Sequence, residues 1–191
     1  KPQAYDNETA EDQKLFFQHD AHWVDMGLNS SNPDYGKIIV FNNRAGENFS
    51  TVNIFNPPFI SYEWGYLMND GVFLPTNFDW TYTHPIAESM YSPGLGSVQR
   101  LANGNTLIGA GRPGYAFEIT PDEEIVWEYI SPLSSGNPVS QGDPAPHQLN
   151  IFFSMKRYPS NFAGFDGKDL STIGYVELNP DTEYCNILLD V

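Results

Sequence analysis

Ser97-Val98-Gln99-Arg100-Leu101-Ala102-Asn103-Gly104-Asn105-Thr106-Leu107-Ile108-Gly109-Ala110-Gly111-Arg112-Pro113-Gly114-Tyr115-Ala116-Phe117-Glu118-Ile119-Thr120-Pro121-Asp122-Glu123-Glu124-Ile125-Val126-Trp127-Glu128-Tyr129-Ile130 is the stretch whose reading decides the fold. It divides into short apolar runs separated by turn residues. The runs predict strands at 97–102, 106–110, 115–120 and 125–130. Asn103-Gly104-Asn105 is a tight turn, because Asn and Gly tolerate positive φ. Residues 111–114 and Pro121-Asp122-Glu123 turn the chain again. In the last run Ile125, Trp127 and Tyr129 share one face at period two.

The last run has an earlier counterpart. Phe78, Trp80 and Tyr82 alternate in the same way, and both segments read apolar-x-Trp-x-Tyr-x-x-Pro, with the two tryptophans 47 positions apart. A repeat of roughly 40 to 50 residues built from short strands is the signature of propeller blades. Four strands joined by hairpins, with no helix, make one blade. The earlier unit has the same order with longer turns: strands at 20–24, 37–42, 49–55 and 78–82, where Phe49, Thr51, Asn53 and Phe55 share a face and 60–77 is irregular and aromatic. A third unit is predicted from strands at 147–155, 173–178 and 184–189. The expected fold is therefore all-β, a β-propeller of four-stranded antiparallel blades at about 16–85, 95–132 and 147–191. An N-terminal arm over 1–15 carries a short helical turn near 11–15. Propellers close with about four to eight blades. Three predict either a partial ring, completed by blades on the same chain or another, which is the favoured expectation, or sheets packed in some other way. The opening Lys1-Pro2-Gln3 is neither an initiator nor a leader, so a processed or partial chain is expected.

Composition limits the function. The chain has 191 residues, 40% hydrophobic and 15% aromatic, enough for one domain with a core. Only 9 residues are Lys or Arg against 24 Asp or Glu, a formal charge of −15. Such a surface repels nucleic acid and anionic lipid, so neither is an expected partner. An anionic ligand would need the few cations gathered in one place. The single cysteine, Cys185, excludes an internal disulfide. No window is apolar over the length of a membrane span. Sequons at Asn7, Asn29 and Asn48 matter only in a secreted eukaryotic chain.

Gln18-His19-Asp20-Ala21-His22-Trp23 and the buried strand after it, which ends at Asn42-Asn43, carry the chemistry. An imidazole on a short strand is held by the ladder, and a neutral imidazole is a nucleophile or general base near pH 7 once something orients it. Taken alone, either histidine reads as a hydrogen-bonding partner of a loop carbonyl.

At these residues the chain resembles the arylsulfate sulfotransferase family, whose fold is a six-bladed propeller. The first motif, with Ile38 to Asn43 and Phe49-Ser50 behind it, is similar to the family's Gln-His-x-Ala-x-Trp segment and its following turn and aromatic-Ser strand. Gln99 to Ile108 resembles the family's recurring Asn-Gly-Asn hairpin. Lys156-Arg157-Tyr158-Pro159 through Leu170 resembles a C-terminal segment. The likeness runs over nearly the whole chain and corresponds to the C-terminal half of a full-length member. The first motif is fairly specific; the hairpin is shared with many propellers. The resemblance implies that His19 is a nucleophile that takes the sulfuryl group from an aryl sulfate as a sulfohistidine and passes it to a phenol, without a nucleotide or other cofactor. It also implies a secreted or periplasmic bacterial protein. The family's partner histidines and an arginine lie upstream of this motif.

The other residues divide as follows. His22 would face opposite to His19 on a strand and reads as structural. No third ligand accompanies the two, so no metal is expected. Asp20 either orients an imidazole or caps a turn. Arg44, Arg100, Arg157 and His147 are the candidate substrate-binding residues. Arg44 follows the Asn-Asn turn beside the first motif. Arg100 and Arg157 follow inner-strand segments, where they could reach an anion or pair with one of the acids. His147 could line a channel mouth. Arg112 lies in a turn, and His84, before Pro85, is expected at the surface. The Trp-x-Tyr pairs read as packing between blades. The competing function is a non-catalytic secreted propeller that binds a protein or glycan partner and keeps the motifs as scaffold.

Overall fold

A computed structural model describes residues 13–25, 28–69, 71–143, 149–181 and 183. His147, Cys185, Asn7, the expected strand at 184–189 and residues 1–12 of the expected arm lie outside the described residues. Residues 13–15 hold no helical turn.

The chain is all-β, with no α-helix among the described residues and with antiparallel sheets that do not close. Its strands are β1 (His19–Trp23), β2 (Ile38–Asn42), β3 (Thr51–Phe55), β4 (Phe59–Ser61), β5 (Gly65–Tyr66), β6 (Met68–Asn69), β7 (Val72–Phe73), β8 (Trp80–Tyr82), β9 (Ser97–Arg100), β10 (Thr106–Ala110), β11 (Tyr115–Ile119), β12 (Ile125–Ile130), β13 (Leu133–Ser134) and β14 (Asn137–Pro138). β1, β2, β3 and β8 form one four-stranded sheet in that order, and β9 to β12 form the other. Both match the strands read from the sequence to within a few residues. β4 with β5, and β6 with β7, make two small hairpins inside the β3–β8 connection, where irregular chain was expected.

The two sheets share one core. Ile39, Phe41, Val52, Ile54 and Tyr82 of the first meet Val98, Ile108, Ala110, Phe117 and Ile119 of the second. The alternation of each strand delivers these side chains to one face, and each large side chain so buried contributes about 1.5–3 kcal/mol. The aromatic repeat is covered by an arginine in both places. Trp80 stacks with Tyr82 at 6.0 Å, and the Arg100 guanidinium of the second sheet lies over the Trp80 ring at 4.6 Å. Trp127 stacks with Tyr129 at 6.0 Å, and Arg157 lies over Trp127 at 5.1 Å. An arginine over a stacked Trp-x-Tyr pair is thus used twice.

The third unit departs from expectation. Residues 149–155 and 173–178 form no strand, apart from a single bridge between Leu178 and Ser140. The reason lies on the outer face of β9. Ser97 Oγ accepts from the Met155 N–H at 2.8 Å and donates to the Met155 carbonyl at 3.2 Å. Gln99 Oε1 accepts from the Arg157 N–H at 2.8 Å, and its Nε2 donates to the Arg157 carbonyl at 2.9 Å. Two side chains of one strand face therefore satisfy the main chain of the crossing segment. At Met155 and Arg157 the main-chain donors and acceptors are met without a partner strand.

His84 also departs from expectation. It is buried, not at the surface, because its ring packs edge-on against Phe117 at 5.2 Å and Tyr115 at 5.9 Å while its Nδ1 bonds to Ile86. The connection after β8 crosses the second sheet, so a residue at the end of an edge strand is covered there.

Candidate functional site

His19 opens β1 opposite Phe41, and the register shifts between His19 and His22. The bulge goes with the backbone of Asp20, which has φ 56. Two further non-glycine residues at positive φ touch the same imidazole: Phe17 at φ 56 and Leu95 at φ 68. Such conformations are rare outside Gly, Asn and Asp and cost on the order of 1–3 kcal/mol each. Phe17 and Leu95 are outside that class, and both bond to the one imidazole.

Their bonds fix its tautomer. The Leu95 N–H donates to His19 Nε2 at 3.3 Å, so Nε2 carries the lone pair. Nδ1 then carries the hydrogen, shared between Asn43 Oδ1 at 2.8 Å and the Phe17 carbonyl at 3.0 Å. Asn43 is fully buried and holds the opposing loop as well, donating through Nδ2 to the carbonyls of Ser92 at 2.7 Å and Leu95 at 2.6 Å. Ser50 Oγ donates to the Asn43 carbonyl at 2.7 Å and accepts from the Ser92 N–H at 3.0 Å. Asn43 and Ser50 thus set both the ring and the loop at 92–96. They sit in the stretches that carry the family resemblance, but sequence reading assigned them no role. The available signal was a pair of asparagines ending a buried strand, where a side chain must satisfy main chain.

Asp20 ties the site to the rest of the molecule. Its Oδ2 accepts from the Val98 N–H at 2.8 Å and from Lys156 Nζ at 2.6 Å, and Lys156 also donates to the Val98 carbonyl at 2.8 Å. First sheet, second sheet and crossing segment meet at one carboxylate. His22 Nδ1 donates to the Asp20 carbonyl at 2.7 Å.

The candidate cations separate into two sets. Arg100 pairs with Asp34 at 2.8 Å, and Arg157 pairs with the buried carboxylate of Glu118. Both line a cleft of about 290 Å³ at the far end of β9 from His19, with Gln99, Asn103 and Tyr158. Arg44 stands beside His19. Its guanidinium covers the ring of Phe17 at 3.9 Å, and its Nε donates to the Pro93 carbonyl at 3.1 Å. Phe17 is therefore shared, its carbonyl bonded to His19 and its ring to Arg44.

Among the described residues no three histidine, cysteine or carboxylate side chains could hold a metal ion, and no helix is long and apolar enough to cross a membrane. The arrangement offers an oriented imidazole with a defined lone pair, a buried amide behind it and a guanidinium alongside. No family model, no curated protein and no solved structure matches this chain.

Proposed function

We propose that this chain carries the sulfuryl-transfer half-site of an arylsulfate sulfotransferase-like enzyme, on two successive blades of a propeller whose remaining blades lie on the same or another chain. The observation that carries this reading is the convergence of Phe17 and Leu95, both at positive φ, on the two ring nitrogens of His19. Strain of this kind persists where surrounding structure over-determines it and gathers at functional sites. It supports a reading in which His19 Nε2 attacks the sulfur of an aryl sulfate. The N–S bond forms as the S–O bond to the aryl oxygen breaks. The aryl oxygen leaves with the bonding pair and takes a proton from a general acid or solvent. Nδ1–H stays on Asn43 and stabilises the charged ring. The Leu95 N–H, displaced from Nε2, is free to donate to a sulfuryl oxygen. A phenol then attacks sulfur, loses its proton and releases His19. The covalent intermediate divides one hard transfer into two easier ones.

A second reading is favoured by two contacts. Both ring nitrogens of His19 are hydrogen-bonded within the protein, as a scaffold histidine of a binding module for a protein or glycan would be. The test is release of nitrophenolate from 4-nitrophenyl sulfate in the presence of phenol. Release by wild type, none by His19→Ala, and recovery of a peptide bearing one sulfuryl group on His19 would support the first reading. No release by wild type, or equal release by His19→Ala, leaves the second.

A further inference from the structure

We propose that Arg44 and Arg112, reaching the loop at 92–96 from different sheets, form a binding site for a tetrahedral oxyanion beside His19; that the anion is a sulfate ester rests on the reading above.

The argument begins with charge. In a chain with 24 acidic residues and a formal charge of −15, cations are expected to be neutralised. Lys37, Lys156, Arg100 and Arg157 are, each paired with a carboxylate. Four described cations are not: Arg44, Arg112, Lys14 and Lys168 meet no Asp or Glu among the described residues, and of these Arg44 and Arg112 bond to the loop at 92–96. Arg44 uses only its Nε, on the Pro93 carbonyl, while its face rests on Phe17. Its terminal nitrogens have no partner among the described residues. Arg112 is anchored through its main chain, the N–H donating to Ser92 Oγ at 3.0 Å, and its side chain is exposed with no partner among the described residues.

Placement makes the pair a site. Arg44 follows β2 of the first sheet, and Arg112 lies in the β10–β11 turn of the second. Both attach to the loop that presents the Leu95 N–H to His19 Nε2. Pro93 and Leu95 are two residues apart, so their Cα atoms are within about 7 Å. Arg44 and the imidazole are thus held on adjoining points of one short loop. Next to that loop Gly111 has no room for a side chain: a Cβ there would stand 2.7 Å from Leu95 Cβ. The turn bearing Arg112 therefore packs closely on the loop. Two planar guanidinium forks and a backbone N–H match the donors that a tetrahedral oxyanion accepts.

The test uses the whole chain. Inorganic sulfate is titrated at low ionic strength and followed by calorimetry and by the amide resonance of Leu95, with inorganic phosphate and 4-nitrophenol as further arms. Saturable sulfate binding that moves Leu95 is expected, with phosphate competing and 4-nitrophenol inert. Arg44→Gln and Arg112→Gln should each weaken sulfate about tenfold, the scale of a hydrogen bond to a charged group; the Lys variants, which keep charge and fold, should recover part of it. Unchanged sulfate affinity in the double Gln variant, or no sulfate binding by wild type, overturns the site. The transfer reading fails separately: sulfate binding through Arg44 and Arg112 without nitrophenolate release leaves this site standing.

Discussion

Asn43 Oδ1 lies 2.8 Å from His19 Nδ1, and the same amide donates to two carbonyls of the loop whose Leu95 N–H meets the other ring nitrogen. One buried side chain therefore sets the tautomer of the imidazole and the position of the group facing it.

Replacing Asn43 by Ala removes a donor from the Ser92 and Leu95 carbonyls, leaving them Ser50 Oγ at 3.5 Å and Ser92 Oγ at 2.9 Å, and frees the ring. A net hydrogen bond is worth about 0.5–1.5 kcal/mol. Asn43→Ala removes three and should lower stability by about 1–3 kcal/mol in chemical denaturation. A loss under about 0.5 kcal/mol, the range of neutral surface changes, would show that the network does not hold the loop.

Asp20 is half-buried and bonds both the Val98 N–H and Lys156. Asp20→Ala removes both, whereas Asp20→Asn keeps an acceptor oxygen. With the charges partly solvated, the pair is worth less than a buried one. Asp20→Ala should cost about 1–2 kcal/mol and Asp20→Asn clearly less. Equal losses in urea titrations would mean that charge, not hydrogen bonding, holds the clamp.

Gly111 admits no side chain: its Cβ would lie 2.5 Å from the Phe152 carbonyl and 2.7 Å from Leu95 Cβ. The Phe152 N–H also donates to the Gly111 carbonyl at 3.1 Å. Gly111→Ala should destabilise by about 1–3 kcal/mol, the usual cost of overpacking, and should shift the Leu95 amide resonance. An unchanged melting temperature and spectrum would contradict this packing.

The Tyr82 hydroxyl is buried and has no hydrogen-bond partner among the described residues. Burial, reinforced by Glu123, pushes its pKa up to about 12 from 10.0. Tyr115 is raised in the same direction by burial and by its hydrogen bond to Glu128. A raised phenol pKa means that the folded state holds its proton more tightly than the unfolded one. This contribution is intact below pH 10 and is lost as pH rises toward 12, a fall on the order of 1–3 kcal/mol for Tyr82. Tyr82→Phe should be neutral or stabilising at pH 7, since it removes an unpaired polar group, and should flatten the alkaline decline. A strongly destabilised Tyr82→Phe at neutral pH would show that the hydroxyl has a partner.

By itself the sequence determined the two four-stranded sheets and their hairpins. These follow from alternation and turn chemistry, local properties that a strand of five residues already displays. It also singled out His19 and placed Arg44 next to the motif. Only the tertiary structure decided what holds His19. Asn43 is 24 residues from it, and Leu95 is 76 residues away; no local pattern links such positions. The same holds for Arg100 and Arg157, whose carboxylate partners come from a distant loop and strand. The segment at 149–157 shows the limit most directly. Its apolar run reads as a strand, yet Ser97 and Gln99 supply its main-chain bonds from the face of β9. Hydrogen-bond partners are chosen by what lies across the gap, and sequence periodicity records only which side chains share a face.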